Sequence, residues 1–254
     1  MITNRKKLLI FLLLTFIVVS GLPVCASGAG LPRLAKDAVI LAFGDSLTFG
    51  TGTEPEESYP AVLERLVGRR VVNEGIPGEI TDEGLERLPE VLRREKPALL
   101  ILCHGANDLL RFLDKRQAAA NLRAMIRLAQ EKGAAVVLIA VPSLGITLSP
   151  EPFYLAIATE KGADDILIAV PSLGIALSPE PLYREIAVEM GLPLEEKALT
   201  TLLSDGTLLS DPIHPNAVGY RRLAESIASL LKKSGFVTDA YPPLPRGMPS
   251  TFRR

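Results

Sequence analysis

Residues 39–50, VILAFGDSLTFG, join a short apolar run to a turn of small polar residues. The run Val39–Phe43 is rich in β-branched and large apolar side chains, which is typical of a buried strand. Gly44 to Ser46 are common turn residues. In a parallel sheet the turn after a strand lies at the carboxyl edge, where doubly wound folds hold their functional groups. This stretch therefore predicts a strand and turn that expose the Ser46 hydroxyl at that edge.

The same alternation of short apolar runs and amphipathic helical stretches continues along the chain. Further strands are predicted at 71–73, 99–103 and 136–141, and further helices are predicted to start near Tyr59, Thr81, Asp114 and Asn216. Strands that alternate with helices indicate a parallel sheet covered by helices. We predict an α/β fold, a flavodoxin-like three-layer α/β/α arrangement with a parallel sheet, over residues 35–235.

One strand, loop and helix of this pattern occurs twice in tandem. Residues 131–159 are repeated at 160–188, with 21 of 29 aligned positions identical. A single duplication does not indicate a solenoid, which needs three or more repeats. We expect the second copy to add a strand, giving a six-stranded sheet whose last strand moves outward by about 4.8 Å. The alternative is that one copy is extruded from the sheet.

Composition excludes several classes of protein. The chain has 254 residues, 28 Lys+Arg against 29 Asp+Glu, and a net charge of -1. This balance gives no basic surface for nucleic acid. Two cysteines and two histidines are too few for a disulfide scaffold or a Cys/His zinc site.

Both ends of the chain are predicted to lie outside the fold. Basic residues at positions 5–7 precede the apolar run Leu8–Val19, so residues 1–26 are predicted to be a signal peptide cleaved after Ala26. The protein would then be exported, periplasmic or secreted, and would contact a membrane only through this segment. The alternatives are a retained membrane anchor and a lipoprotein acylated at Cys25. Residues 236–254, which are rich in proline, are predicted to be a disordered tail.

Three more polar blocks follow predicted strands or precede the last helix. They are NEGIPG at 73–78, GAND at 105–108 and DPIHPN at 211–216. Each block alone is a weak signal, because its residues are ordinary turn formers. All of them, together with the turn at Ser46, are expected to converge on one edge of the sheet.

With these four blocks in this order, the sequence closely resembles the SGNH (GDSL) hydrolase family over residues 38–232. It looks most like the secreted arylesterase, thioesterase and lysophospholipase type. The resemblance implies that Ser46 is the nucleophile, His214 the general base and Asp211 the residue that orients it. It also implies an oxyanion hole made by the backbone N–H groups of Ser46 and Gly78 and the side-chain amide of Asn107. No metal or organic cofactor is implied.

The residues themselves support this division of roles. A neutral serine is a poor nucleophile and needs a base, and the only histidines are His104 and His214. Only His214 has a carboxylate three residues away, at Asp211, although Asp205 is a rival. His104 is expected to pack or to support the site from behind.

The predicted reaction is hydrolysis of acyl or aryl esters, including thioesters or lysophospholipids, so the partner is a small-molecule ester or lipid. Leu109, Phe112, Leu144 and Ile146 are candidate substrate-binding residues, with core packing as the alternative. A second candidate function is carbohydrate O-deacetylation, which the absence of tryptophan disfavours. A third is an inactive binding scaffold in which the duplication separates Ser46 from His214.

Overall fold

The structure is a computed structural model that describes residues 33–150 and 171–238. All of these residues belong to the unit Leu31–Arg254. The predicted signal peptide, the tail from residue 239 and the first eleven residues of the second repeat, 160–170, lie outside the described residues.

The described residues form strands and helices in alternation, as the sequence predicts. The strands are β1 (Ile40–Gly44), β2 (Val71–Gly75), β3 (Leu99–Cys103), β4 (Ala135–Ile139), β5 (Pro142–Pro150), β6 (Pro171–Pro179) and β7 (Leu194–Glu195). The helices are α1 (Ser46–Phe49), α2 (Tyr59–Val67), α3 (Thr81–Glu95), α4 (Ala106–Leu110), α5 (Lys115–Glu131), α6 (Pro181–Met190), α7 (Ala198–Leu203) and α8 (Ala217–Lys233), with 3-10 turns at Pro55–Glu57 and Gly206–Leu208.

Five strands form a parallel sheet in the order β2-β1-β3-β4-β7. This is the flavodoxin-like order, so the prediction of an α/β fold with a parallel sheet is confirmed. Every residue of β1 and β3 is buried. Strands buried on both faces need continuous apolar runs, which explains the sequences ILAFG and LLILC.

Side-chain caps fix two of the four helix starts that the sequence predicts. Asp114 accepts a hydrogen bond from the Arg116 N–H and begins α5. Asn216 accepts from the N–H groups of Val218 and Gly219 and begins α8. These bonds satisfy backbone donors that have no partner within a first helical turn.

The sheet has five strands within the described residues, and the predicted outward shift of its last strand is wrong. Strand β4 pairs directly with β7, with Leu138 opposite Leu194, so no strand separates them and β7 is not displaced. The strand of the first copy, β4, occupies this place, and its Val136 is buried there. The second copy has Asp165 at the equivalent position, and an unpaired carboxylate is costly to bury.

The loops of the two copies pair with each other instead. Residues 142–150 and 171–179 form the antiparallel pair β5-β6, separate from the main sheet, with Pro142 opposite Pro179. The chain returns to β4 at Glu180, whose N–H donates to the carbonyl of Val141 at 3.2 Å. Helix α6 of the second copy then packs near β4 of the first copy. The finished unit therefore combines a strand from one copy with a helix from the other.

The ordered core extends slightly beyond residues 35–235. Phe236 and Val237, which the sequence assigns to the tail, are buried. The carbonyl of Phe236 accepts a hydrogen bond from the Leu34 N–H at 2.9 Å. This contact joins the two ends of the described chain. Within the described residues, no helix is both long and apolar enough to cross a membrane.

Candidate active site

Ser46 is the first residue of α1, and only Asp45 separates it from the end of β1. Asp45 caps this short helix by accepting a hydrogen bond from the Leu47 N–H at 3.0 Å. A Cβ atom at Gly44 would lie 1.9 Å from the carbonyl oxygen of Cys103, so only glycine allows the turn to press against β3. The turn is therefore fixed, and it leaves the serine hydroxyl at the carboxyl edge of the sheet.

The loop before α8 brings an imidazole and a carboxylate to this hydroxyl. His214 Nε2 lies 2.9 Å from Ser46 Oγ, and His214 Nδ1 lies 2.7 Å from Asp211 Oδ2. Because an ionised carboxylate only accepts hydrogen bonds, Nδ1 carries the proton and Nε2 is left to accept from the serine. The structure thus brings the three predicted residues together in one chain of hydrogen bonds.

Asp211 is held in its orientation by the backbone of its own loop. Its Oδ1 accepts from the N–H groups of Ile213 and His214, both at 2.9 Å. Burial alone would raise the pKa of Asp211, but these hydrogen bonds and the one from His214 lower it below the ordinary value. Asp211 therefore stays ionised beside the imidazole well into the acid range.

Asp205, the rival of Asp211, is engaged elsewhere. Its Oδ1 accepts from the N–H and the hydroxyl of Thr207, at 3.0 and 2.6 Å, at the start of a 3-10 turn. It caps that turn and does not orient His214.

The predicted oxyanion donors lie on the turns after β1, β2 and β3. Asn107 Nδ2 donates one hydrogen bond to the carbonyl of Glu79 at 3.0 Å, which leaves its second N–H free to point elsewhere. Within residues 33–150 and 171–238, no protein acceptor takes the backbone N–H of Ser46 or Gly78. Gly78 has φ +83°, a conformation that other residues rarely adopt. These donors are available for a ligand.

A cavity of about 610 Å³ adjoins Ser46 and His214. Leu109 and Phe112 line it, as the sequence predicts. The side chains of Leu144 and Ile146 lie outside the described part of the structure, although their strand β5 borders the cavity through Pro142 and Ser143. The volume of the cavity is large enough to hold a small ester with an acyl chain.

Several lining residues were not predicted. Val141, Leu177, Leu203 and Ile213 also line the cavity. Ile213 lies inside the DPIHPN block, so its position beside His214 was a usable signal. Leu177 comes from the second repeat and reaches the cavity only because β6 pairs with β5, which the sequence did not indicate.

His104 is fully buried and makes no hydrogen bond to Ser46. Its ring contacts the carboxylate of Glu79 and the backbone of Gly105. Among the described residues, no group of three or more His, Cys, Asp or Glu side chains is arranged to hold a metal ion.

Comparison with known proteins gives consistent results. The GDSL-like Lipase/Acylhydrolase family matches residues 42–222 of this chain. The esterase TesA of Pseudomonas aeruginosa is 35% identical over 131 residues, 50% of this chain and 63% of that protein. The arylesterase of Vibrio mimicus is 37% identical over 107 residues, 40% of this chain and 54% of that protein. These matches therefore span between about half and two thirds of the relatives' length.

Solved structures support the same assignment. The crystal structure of TesA superposes with a TM-score of 0.59 at 27% identity, over 77% of this chain and 99% of that one. AlinE4, an SGNH-hydrolase family esterase, superposes with a TM-score of 0.52 at 26% identity, over 80% of this chain and 98% of that one. Because the family match covers most of the chain and spans all four polar blocks, the chain belongs to the GDSL-like lipase/acylhydrolase family.

Proposed function

We propose that the protein is a serine esterase that hydrolyses acyl or aryl esters through an acyl-enzyme on Ser46. One observation carries this proposal: His214 lies 2.9 Å from the Ser46 hydroxyl and 2.7 Å from the Asp211 carboxylate. These distances suit proton transfer from a nucleophile to a base that a third group orients.

In the first half of the reaction, Ser46 Oγ attacks the ester carbonyl carbon while His214 Nε2 takes the serine proton. The N–H groups of Ser46, Gly78 and Asn107 donate to the carbonyl oxygen as it becomes negative. The tetrahedral intermediate then expels the alcohol, which receives the proton from His214. The product of this half is an acyl group on Ser46.

In the second half, water attacks the acyl carbonyl and His214 takes its proton. The second tetrahedral intermediate releases the carboxylic acid and returns the proton to Ser46 Oγ. Asp211 keeps the Nδ1 proton of His214 in place and stabilises the imidazolium in both halves.

The cavity favours acyl substrates over sugars. Its lining includes Leu109, Leu110, Val141 and Leu177, which suits an acyl chain. The relatives named as esterase, arylesterase and thioesterase/lysophospholipase support the same substrate class. The chain has no tryptophan for stacking on a sugar ring, so carbohydrate O-deacetylation is not favoured. The short distance from Ser46 to His214 argues against an inactive scaffold.

The basic and apolar residues at positions 5–19 support our further proposal that the protein is exported.

The test is turnover of p-nitrophenyl acetate and p-nitrophenyl octanoate by the wild-type chain and by Ser46→Ala. We expect the wild type to hydrolyse both esters and Ser46→Ala to hydrolyse neither above the uncatalysed rate. Ser234→Ala, at the end of α8 and away from the cavity, is the matched control and should retain full activity. Equal turnover by the wild type and Ser46→Ala would refute the proposal.

A further inference from the structure

A buried charged cluster lies behind the candidate oxyanion hole, and the reaction described above does not use it. Its members are Glu79, Arg87 and His104. His104 is fully buried and Glu79 is 5% exposed. Buried ionic groups are costly unless they are fully paired, so their presence here needs an explanation.

The carboxylate of Glu79 is the centre of the cluster. Arg87 donates to it through two nitrogens, Nε to Oε1 and Nη2 to Oε2, both at 2.7 Å. His104 Nε2 lies 3.1 Å from Oε2. Burial alone would raise the pKa of Glu79, but the hydrogen bonds from His104 and Arg87 lower it below the ordinary value. Arg87 also stacks over the ring of Phe43 at 4.0 Å.

The contacts of His104 fix which of its nitrogens carries the proton. The N–H of Gly105 donates to Nδ1 at 2.9 Å, so Nδ1 must be an acceptor. In the neutral ring the proton is then on Nε2, where it is donated to Glu79. The carbonyl of His104 accepts from the hydroxyl of Tyr183 at 2.7 Å. The imidazole thus joins the turn after β3 to the carboxylate on the turn after β2.

Glu79 also contacts the predicted oxyanion donors through its backbone. It directly follows Gly78, and its carbonyl accepts one N–H of Asn107 at 3.0 Å. Fixing Glu79 therefore restrains the neighbouring residue Gly78, whose N–H lies in the preceding peptide, and the direction of the free Asn107 N–H.

Two further contacts join the same two turns. Asp108 accepts from the N–H and hydroxyl of Thr81, at 3.0 and 2.5 Å. Arg111 donates to the carbonyl of Gly78 at 2.7 Å. The turns after β2 and β3 are thus held together by several contacts, and Glu79 follows one donor residue in the chain and accepts a hydrogen bond from the other.

We propose that Glu79 is a positioning residue for the oxyanion hole. His104 and Arg87 hold its carboxylate, so that the N–H groups of Gly78 and Asn107 are directed at the position of the substrate oxyanion. This inference rests on the proposed esterase function. Donors aimed at the developing oxyanion act in the transition state more than in the bound substrate. Loss of the anchor should therefore lower kcat and leave KM nearly unchanged.

The first experiment uses Glu79→Gln and p-nitrophenyl acetate. We expect kcat to fall by about 10- to 100-fold, as is typical of small displacements of catalytic groups. Glu90→Gln is the matched control, because Glu90 is an exposed glutamate on α3 that pairs with Arg93. It should retain wild-type kinetics. A loss expressed only in KM would overturn the proposal.

The second experiment separates positioning from a general loss of stability. Glu79→Gln is combined with Asn107→Ala, which removes one of the donors that Glu79 positions. The loss of kcat caused by Glu79→Gln should shrink to no more than about a few-fold in this background, because coupled residues are not additive. Fully additive losses would mean that Glu79 does not act through Asn107, and would overturn the proposal.

A third variant moves His104 without changing any member of the cluster, and it decides the matter if Glu79→Gln does not fold. A Cβ atom at Gly84 would lie 2.4 Å from His104 Nε2, so Gly84→Ala displaces the ring from Glu79. We expect kcat to fall with KM nearly unchanged. Gly206→Ala, whose Cβ would meet nothing within 4 Å, should behave as wild type. Full activity of Gly84→Ala would overturn the proposal.

These outcomes are distinct from failure of the proposed function. If wild type and Ser46→Ala are equally inactive, the esterase proposal fails. If wild type is active, Ser46→Ala is inactive, and the Glu79 and Gly84 variants match wild type, only the positioning role fails.

Discussion

The Asn107 side chain has two amide N–H groups, and only one of them has a hydrogen-bond partner among the described residues. One N–H of its amide is committed to the carbonyl of Glu79, and the other is free for the substrate oxygen. We predict that Asn107→Ala lowers kcat by about 10²- to 10³-fold, or about 2.7 to 4 kcal/mol of transition-state stabilisation, with little change in KM. Steady-state kinetics with p-nitrophenyl acetate measures this, and an unchanged kcat would contradict it.

The carboxyl group of Asp45 makes the free energy of unfolding depend on pH. Burial raises the pKa of this fully buried carboxyl more than its electrostatic interaction with His104 and the hydrogen bond from the Leu47 N–H lower it. A raised pKa means that folding is favoured while the group is protonated. This contribution is complete below the unfolded pKa, about 3.9, and is lost as pH rises from there through the folded value.

Asp45→Asn should remove this penalty while keeping the cap of α1, because asparagine also caps helices. We expect the melting temperature of the variant, relative to wild type, to rise as the pH is raised from 4 to 8. Thermal unfolding across that range measures the difference. Asp114→Asn, an exposed cap of α5, is the control and should show no such trend. A relative melting temperature that falls with pH would contradict the account.

Ser46, Asp211 and His214 lie in short polar blocks that the sequence offers as site residues, and the structure brings their side chains together. The sequence alone left open whether the duplication separates Ser46 from His214, because it does not give the position of the last strand. The pairing of Glu79 with His104 was not predicted, because 25 positions separate them and only the register of β2 and β3 against β1 brings them together. Long-range polar pairs of this kind leave no local signal.

The duplicated segment is recognisable in the sequence, but the position that we expected for its extra strand is wrong. The repeat is real in the sequence, but the expected extra strand does not separate β4 from β7. The signal was present in Asp164 and Asp165, which stand where the first copy has Ala135 and Val136. Two adjacent carboxylates are unfavourable in a strand that is buried on both faces of the sheet.

We predict that one copy can be deleted without loss of the site. Removing residues 146–174, which is 29 residues, joins PSLG to IALSP and keeps Leu144 opposite Leu177. The new loop has three residues, Gly145, Ile175 and Ala176, a common length for a hairpin. Turnover of p-nitrophenyl acetate by this variant should stay within about a few-fold of wild type, because β4 and β7 already pair directly. A folded but inactive deletion variant would contradict this.

At the scale of the whole molecule, the α/β fold followed from the spacing of apolar runs. Strands such as β1 and β3 are buried on both faces, so their composition is nearly all apolar and easy to recognise. The end of the domain was harder to predict. Phe236 is buried against the core and its carbonyl binds the Leu34 N–H, a contact between distant segments that no local pattern reveals.

We propose that Ser46 is a nucleophile activated by His214 and Asp211. The most direct measurement is labelling of the whole chain with a fluorophosphonate, followed by mass spectrometry of the intact protein and its peptides. We predict one adduct per chain, on Ser46, absent in Ser46→Ala and formed far more slowly in His214→Ala. An unlabelled Ser46, or equal labelling in Ser46→Ala, would contradict the account.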